Sequence, residues 1–115
     1  MLPLTMGASS VGVRRSESEI RESILSLTPL GSNPETVLAV VTKEGWENRG
    51  LNTRTGFLKQ PRTGKSEVIG TAHIEALLGH HWTFPFLRTD VTADWGFDKD
   101  DKLIDVWVRK STDGL

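Results

Sequence analysis

Apolar residues recur at helical spacing twice in the first part of the chain and alternate with polar ones three times in the second. Ile20, Ile24 and Leu27 fall at i, i+4 and i+7, one stripe of a helix. Ser16, with Glu19 three residues on, forms a capping box in which each side chain satisfies a backbone N–H freed at a helix start. Thr28-Pro29 closes the pattern, because the proline ring disfavours helical geometry in the residue before it. A first helix over 17–27 follows. Gly31 permits a turn, and Asn33-Pro34-Glu35 supplies an N-cap, a proline at the first helical position and an early acid. Val37, Val40, Val41 and Glu44 hold helical spacing up to Gly45, a natural terminator, so a second helix covers 34–44. So short a connection implies two antiparallel or sharply angled helices sharing an apolar seam.

From Trp46 to Ser66 the pattern dissolves among Gly50, Gly56, Pro61 and Gly64, and basic residues outnumber Glu47. This reads as a long basic loop, with a short strand around Phe57-Leu58. Over 67–78, Val68, Ala72, Ile74, Ala76 and Leu78 alternate with Ile69, Thr71, His73, Glu75 and Leu77, the signature of a strand, with a short helix over 71–78 as its rival. An aromatic turn follows at Trp82, Phe84, Pro85 and Phe86. Val91, Ala93, Trp95 and Phe97 then alternate with polar neighbours, as do Ile104, Val106 and Val108 with Leu103, Asp105, Trp107 and Arg109.

A loop of four residues, Lys99 to Lys102, sets the register of the last hairpin, pairing Phe97 with Ile104, Trp95 with Val106, and Ala93 with Val108. All these apolar side chains then share one face, and a slip of one residue would turn them outward. Trp95 is thereby assigned to the core. Trp107, opposite Asp94, is assigned to the outer face with Asp105 and Arg109. The fold expected is α+β, two layers: two N-terminal helices packed on an antiparallel meander of three or four strands. It forms one domain over 16–115, preceded by a flexible arm over 1–15.

Composition narrows the function classes. The 115 residues are 37% hydrophobic and 25% charged, which argues against disorder, collagen and coiled coil. A net charge of −1 removes a global case for nucleic acid, although nine basic residues against six acidic ones over 1–66 keep a minor alternative through the basic loop 49–65. Residues 90–115 are the reverse, four basic against seven acidic. With no cysteine there is no disulfide, thiolate metal site, cysteine nucleophile or lipidated cysteine. No apolar run reaches the roughly 18–20 residues of a membrane helix, and the start does not read as a signal peptide, so a cytoplasmic location without membrane association is expected.

Motifs that suggest chemistry fail in detail. Gly64-Lys65-Ser66 ends like a phosphate loop, but Lys59 stands where the leading glycine belongs. Asp98, Asp100 and Asp101 lack the glycine and terminal carboxylate of a calcium loop and read as a polar hairpin turn. His73, His80 and His81 have no third ligand at diagnostic spacing, so neither metal nor cofactor is expected. No catalytic residues are assigned.

The outer face does carry apolar residues among charged ones. Trp107, Leu103, Ile69, Leu77, His73, Asp94, Asp105 and Arg109 are the candidate binding residues, a mixture typical of interfaces. Their rival explanation is that the long loop or the N-terminal arm folds over them. Thr28-Pro29-Leu30-Gly31, Val37, Gly79, Trp95-Gly96-Phe97-Asp98 and the run Leu103 to Lys110, with Asp113 and Leu115, resemble a pattern of small bacterial proteins. The layout is similar to outer-membrane assembly lipoproteins of the SmpA/OmlA type and to β-lactamase inhibitor protein repeats. That resemblance implies a sheet face or adjoining loops that bind other proteins, and no catalytic residues. The leading expectation is a non-enzymatic protein-interaction module, with a protein partner or a second copy on the outer face. The alternative is a small-molecule or enzymatic domain with a pocket near residues 82–86.

Overall fold

A computed structural model describes residues 11–83 and 85–114. Helix α1, Glu17–Leu27, begins at Ser16, whose hydroxyl accepts from the Glu19 N–H while the Glu19 carboxylate accepts from the Ser16 N–H. Helix α2, Pro34–Glu44, is capped by the Asn33 side chain and ends at Gly45, whose φ of 76° is the left-handed geometry glycine adopts without penalty. Strands follow as β1 (Glu47–Asn52), β2 (Phe57–Lys59), β3 (Glu67–Ile69), β4 (Ala72–Thr83), β5 (Leu87–Phe97) and β6 (Leu103–Gly114). Strands β1, β4, β5 and β6 form an antiparallel sheet in that order, and β2 and β3 form a separate two-stranded hairpin. The α+β architecture is therefore the expected one, with four strands in the main sheet.

Both helices pack on one face, α1 against β6 and α2 against β1. Ile20, Ile24, Val37 and Val41 meet Ile74, Ala76, Ala93, Trp95, Val106 and Val108 in a single core. Trp95 is fully buried, its ring 6.0 Å from that of Trp46. Its Nε1–H donates to Thr28 Oγ1 at 3.1 Å, and the buried Thr28 hydroxyl donates in turn to the Ile24 carbonyl at 2.8 Å. The residue that ends α1 thus also satisfies the polar atom of the largest core side chain.

The hairpin register holds from Ala93↔Val108 through Trp95↔Val106 to Gly96↔Asp105, and then shifts, so that Phe97 faces Leu103 instead of Ile104. Leu103 is consequently a core residue at 2% exposure and Ile104 lies outside at 44%. The cause is the turn. Asp98 Oδ1 accepts from the N–H groups of Asp100 and Lys102, while Leu103 donates to the Ser32 carbonyl and accepts from the Gly31 N–H in the link between the helices. Those two backbone bonds draw Leu103 inward, at the cost of one residue of register.

Three further expectations change. The segment 46–66 is no continuous loop: it contains β1 at the sheet edge and β2. The reading of 67–78 as one strand is split by Gly70, at φ 81°, into β3 and β4, and β4 runs on through His80, His81 and Trp82 to Thr83. Of the arm over 1–15, residues 1–10 lie outside the described residues, whereas Val11 is buried in the core, Arg14 donates to the Trp82 carbonyl and the Arg15 carbonyl accepts from Lys110 Nζ. The β6 edge is closed by α1 side chains: Arg21 Nε donates to the Val106 carbonyl and Glu17 accepts from the Lys110 N–H. No helix among the described residues is long and apolar enough to cross a membrane.

Candidate functional site

The sheet face turned away from the helices is covered by the chain's own β2–β3 hairpin. Gly70 and Gly96 make the approach possible, and Gly56 lets the two strands of the hairpin close on each other. A Cβ on Gly56 would collide with the Ile69 carbonyl oxygen, one on Gly96 would stand 2.9 Å from the Phe57 ring, and one on Gly70 would stand 2.6 Å from the Phe97 carbonyl oxygen. Asn52 Oδ1 accepts from the N–H groups of Arg54 and Thr55, turning the chain from β1 toward β2, and the Thr71 N–H donates to the Phe97 carbonyl where β3 rejoins the sheet. Phe57, buried apart from the main core, stacks on Trp107 with ring centroids 6.1 Å apart and planes at 14°. The molecule is thus three layers deep here: helices, sheet, hairpin.

Between hairpin and sheet lies a cavity of about 300 Å³ whose lining includes Phe57, Trp107, His73, Glu75, Asp94 and Arg109. Strand geometry assembles the polar group. His73 and Glu75 are two apart on β4 and so share a face; Asp94 pairs with Glu75 across β5, and Trp107 pairs with Asp94 across β6. Arg109 Nε donates to Asp94 Oδ2 at 3.0 Å and its Nη2 to Glu75 Oε2 at 3.1 Å, with the guanidinium 5.6 Å from the Trp107 ring centre. The Asp94 side chain is only 4% exposed. Burial pushes its carboxyl above the ordinary value, ahead of the opposing pull of the Arg109 hydrogen bond and charge. His73 Nδ1 lies 3.0 Å from the Thr55 carbonyl, and a carbonyl only accepts, so Nδ1 is the donor of that bond. A second cavity of about 460 Å³ shares Gln60, Trp107 and Arg109 with the first and adds Glu17, Arg62 and Lys110.

Of the eight candidate residues, His73, Asp94, Trp107 and Arg109 converge on this cavity. Ile69 belongs to the covering hairpin, and Leu77 is buried on the outer side of the sheet. Asp105 is engaged by Arg21 at 2.8 Å and Lys59 at 3.7 Å. Leu103 is not an outer-face residue at all. Asp94 and Asp105 have separate cationic partners, Arg109 for one and Arg21 for the other. Sequence reasoning missed Glu75 and Phe57 as site residues; Glu75 was findable from its i+2 spacing to His73, Phe57 only from the docking of the hairpin.

The expected pocket near 82–86 involves Phe84, outside the described residues. Its neighbours Trp82 and Phe86 are instead exposed, at 48% and 62%. His80 packs edge-on to Trp82. The His81 ring is pushed below its ordinary pKa by burial and by the charges of Arg14 and Lys110. Comparison with known protein families, with curated proteins and with solved structures finds no match to this chain.

Proposed function

We propose that the chain is a binding domain for a small polar molecule, received in the cavity between the β2–β3 hairpin and the outer sheet face. The observation that carries this reading is Asp94: a carboxyl 4% exposed, against a cavity wall, with Arg109 on one oxygen and aromatic rings on the flanks. Small-molecule sites are concave, with a few converging polar groups that fix orientation; this one is concave and lined more by polar groups than by apolar ones, which suits a polar ligand. An open docking face around Trp107 fits less well, because a partner would first have to displace the hairpin that stacks on it.

The test is a thermal-shift screen of the full chain against amino acids, amines, nucleotides and sugar acids with chelator present, since a ligand of the folded state raises its stability by mass action. The reading expects at least one compound class to raise the midpoint in wild type and to lose that effect in Trp107→Ala. Its failure is a screen in which no class acts, or one in which Trp107→Ala responds like wild type. A second reading, a protein-interaction surface, is favoured by a different observation: the β4–β5 tip exposes Trp82, Phe86 and Leu87 together. Pull-down with Trp82→Ala, compared with Trp107→Ala, separates the two surfaces.

A further inference from the structure

We propose that His73, Glu75 and Asp94 form the protein ligand set of a divalent transition-metal ion. The inference deepens the binding-domain reading, resting on the same cavity and naming the cation that would sit in it. A ring nitrogen of His73 and one oxygen from each carboxylate lie within 4.8 Å of one another, close enough for small side-chain movements to bring them onto a common centre. The His73 imidazole already has an outer-shell partner. Its Nδ1–H is given to the Thr55 carbonyl, the outer-shell bond that orients metal-binding histidines and leaves Nε2 as donor.

Arg109 does not close the site. It donates to Asp94 Oδ2 and Glu75 Oε2, while no described residue donates to Asp94 Oδ1 or Glu75 Oε1. Two carboxylates against one guanidinium leave an excess of one negative charge, part of it on a side chain only 4% exposed. Uncompensated charge at such depth is costly, and a bound cation relieves it. One imidazole and two carboxylates, without sulfur, select a first-row ion of the zinc, iron or manganese kind, and a three-residue set leaves coordination positions open toward the cavity. The carboxylates escaped a search for histidine spacing alone because Asp94 reaches the site across a strand pair.

Isothermal titration of the chelator-treated full chain with Zn²⁺ and with Mn²⁺ tests this, with Co²⁺ absorption reporting the coordination. The expected result is one ion per chain with a dissociation constant below about 100 µM for at least one of the two. His73→Gln and Glu75→Gln should each weaken it by about tenfold or more, with circular dichroism and unfolding midpoint held near wild type. Binding weaker than that limit by both ions, or either folded variant binding like wild type, overturns the proposal. If no ion binds while a compound class still shifts the midpoint under chelator, the ion is refuted and the binding-domain reading survives. If the ion binds and no compound class acts, the ion stands and that reading falls.

Discussion

Gly96→Ala isolates the contact that closes the cavity. Gly96 sits inside β5, where replacing glycine by alanine ordinarily gains about 0.5–1 kcal/mol of backbone entropy. Here the new methyl would meet Phe57 Cε2 at 2.9 Å, Ile69 Cγ2 at 3.0 Å and the Ile69 carbonyl oxygen at 3.1 Å. All three atoms belong to the hairpin, so the crowding falls on its docking and not on the helix-packed core. Overpacking of this kind costs about 1–3 kcal/mol, which offsets the gain and leaves a net loss of up to about 2.5 kcal/mol. Urea unfolding followed by circular dichroism measures the loss. Fluorine spectra of 5-fluorotryptophan-labelled protein show whether the Trp107 signal moves while that of Trp95 stays. A variant at least as stable as wild type, with an unmoved Trp107 signal, would refute docking of the hairpin on Gly96.

Thr28→Val removes the acceptor of the Trp95 indole N–H inside a fully buried pair, and should cost about 1–3 kcal/mol in urea unfolding; a change within error would mean that the indole finds another partner. Ser16→Ala abolishes the capping box and should lower stability by about 1 kcal/mol. The same change should raise the pKa of the Glu19 carboxyl only part of the way back, because the Ser16 backbone N–H, the larger cause of its lowering, still donates to it while the hydroxyl bond is lost, as a carbon-detected titration would report. Asp94 gives a pH signature in the metal-free protein. Its carboxyl binds a proton more tightly folded than unfolded, so wild type loses stability relative to Asp94→Asn as pH rises from the ordinary value of 3.8 through the folded pKa, and the difference is flat above it. A difference that grows in favour of wild type with pH would show that Arg109 outweighs burial.

How much of this could be read from residues differs by element. The helices were legible at both ends because Ser16, Asn33 and Gly45 act locally, within one turn of the backbone bonds they satisfy. The last hairpin was legible as far as burial dictates it: Trp95 and Val106 pair as apolar alternation requires, and Asp94 faces Trp107. Ile104 was misplaced because the register change depends on Gly31 and Ser32, more than seventy residues away in the chain, holding the Leu103 backbone. Strand β1 carried no signal, since all six of its residues are exposed and only pairing with β4 makes it a strand. The candidate site was half legible. His73, Asp94, Trp107 and Arg109 follow from alternation, but Glu75 joins Asp94 only through the β4–β5 register, which a bulge between Leu77 and Gly79 interrupts. That the outer face is a cavity floor depends on a lone Phe57 finding the space left by Gly96, information spread over about forty residues.

The central claim is that the β2–β3 hairpin lies on the outer sheet face and turns it into a cavity. The most direct measurement is the nuclear Overhauser spectrum between aromatic side chains of the chain in solution. Cross-peaks between the Phe57 ring and the Trp107 indole, alongside those of the Trp46–Trp95 pair in the core, are the predicted result. A spectrum that shows the core pair and the β4–β5 pairing but no Phe57–Trp107 contact would contradict it.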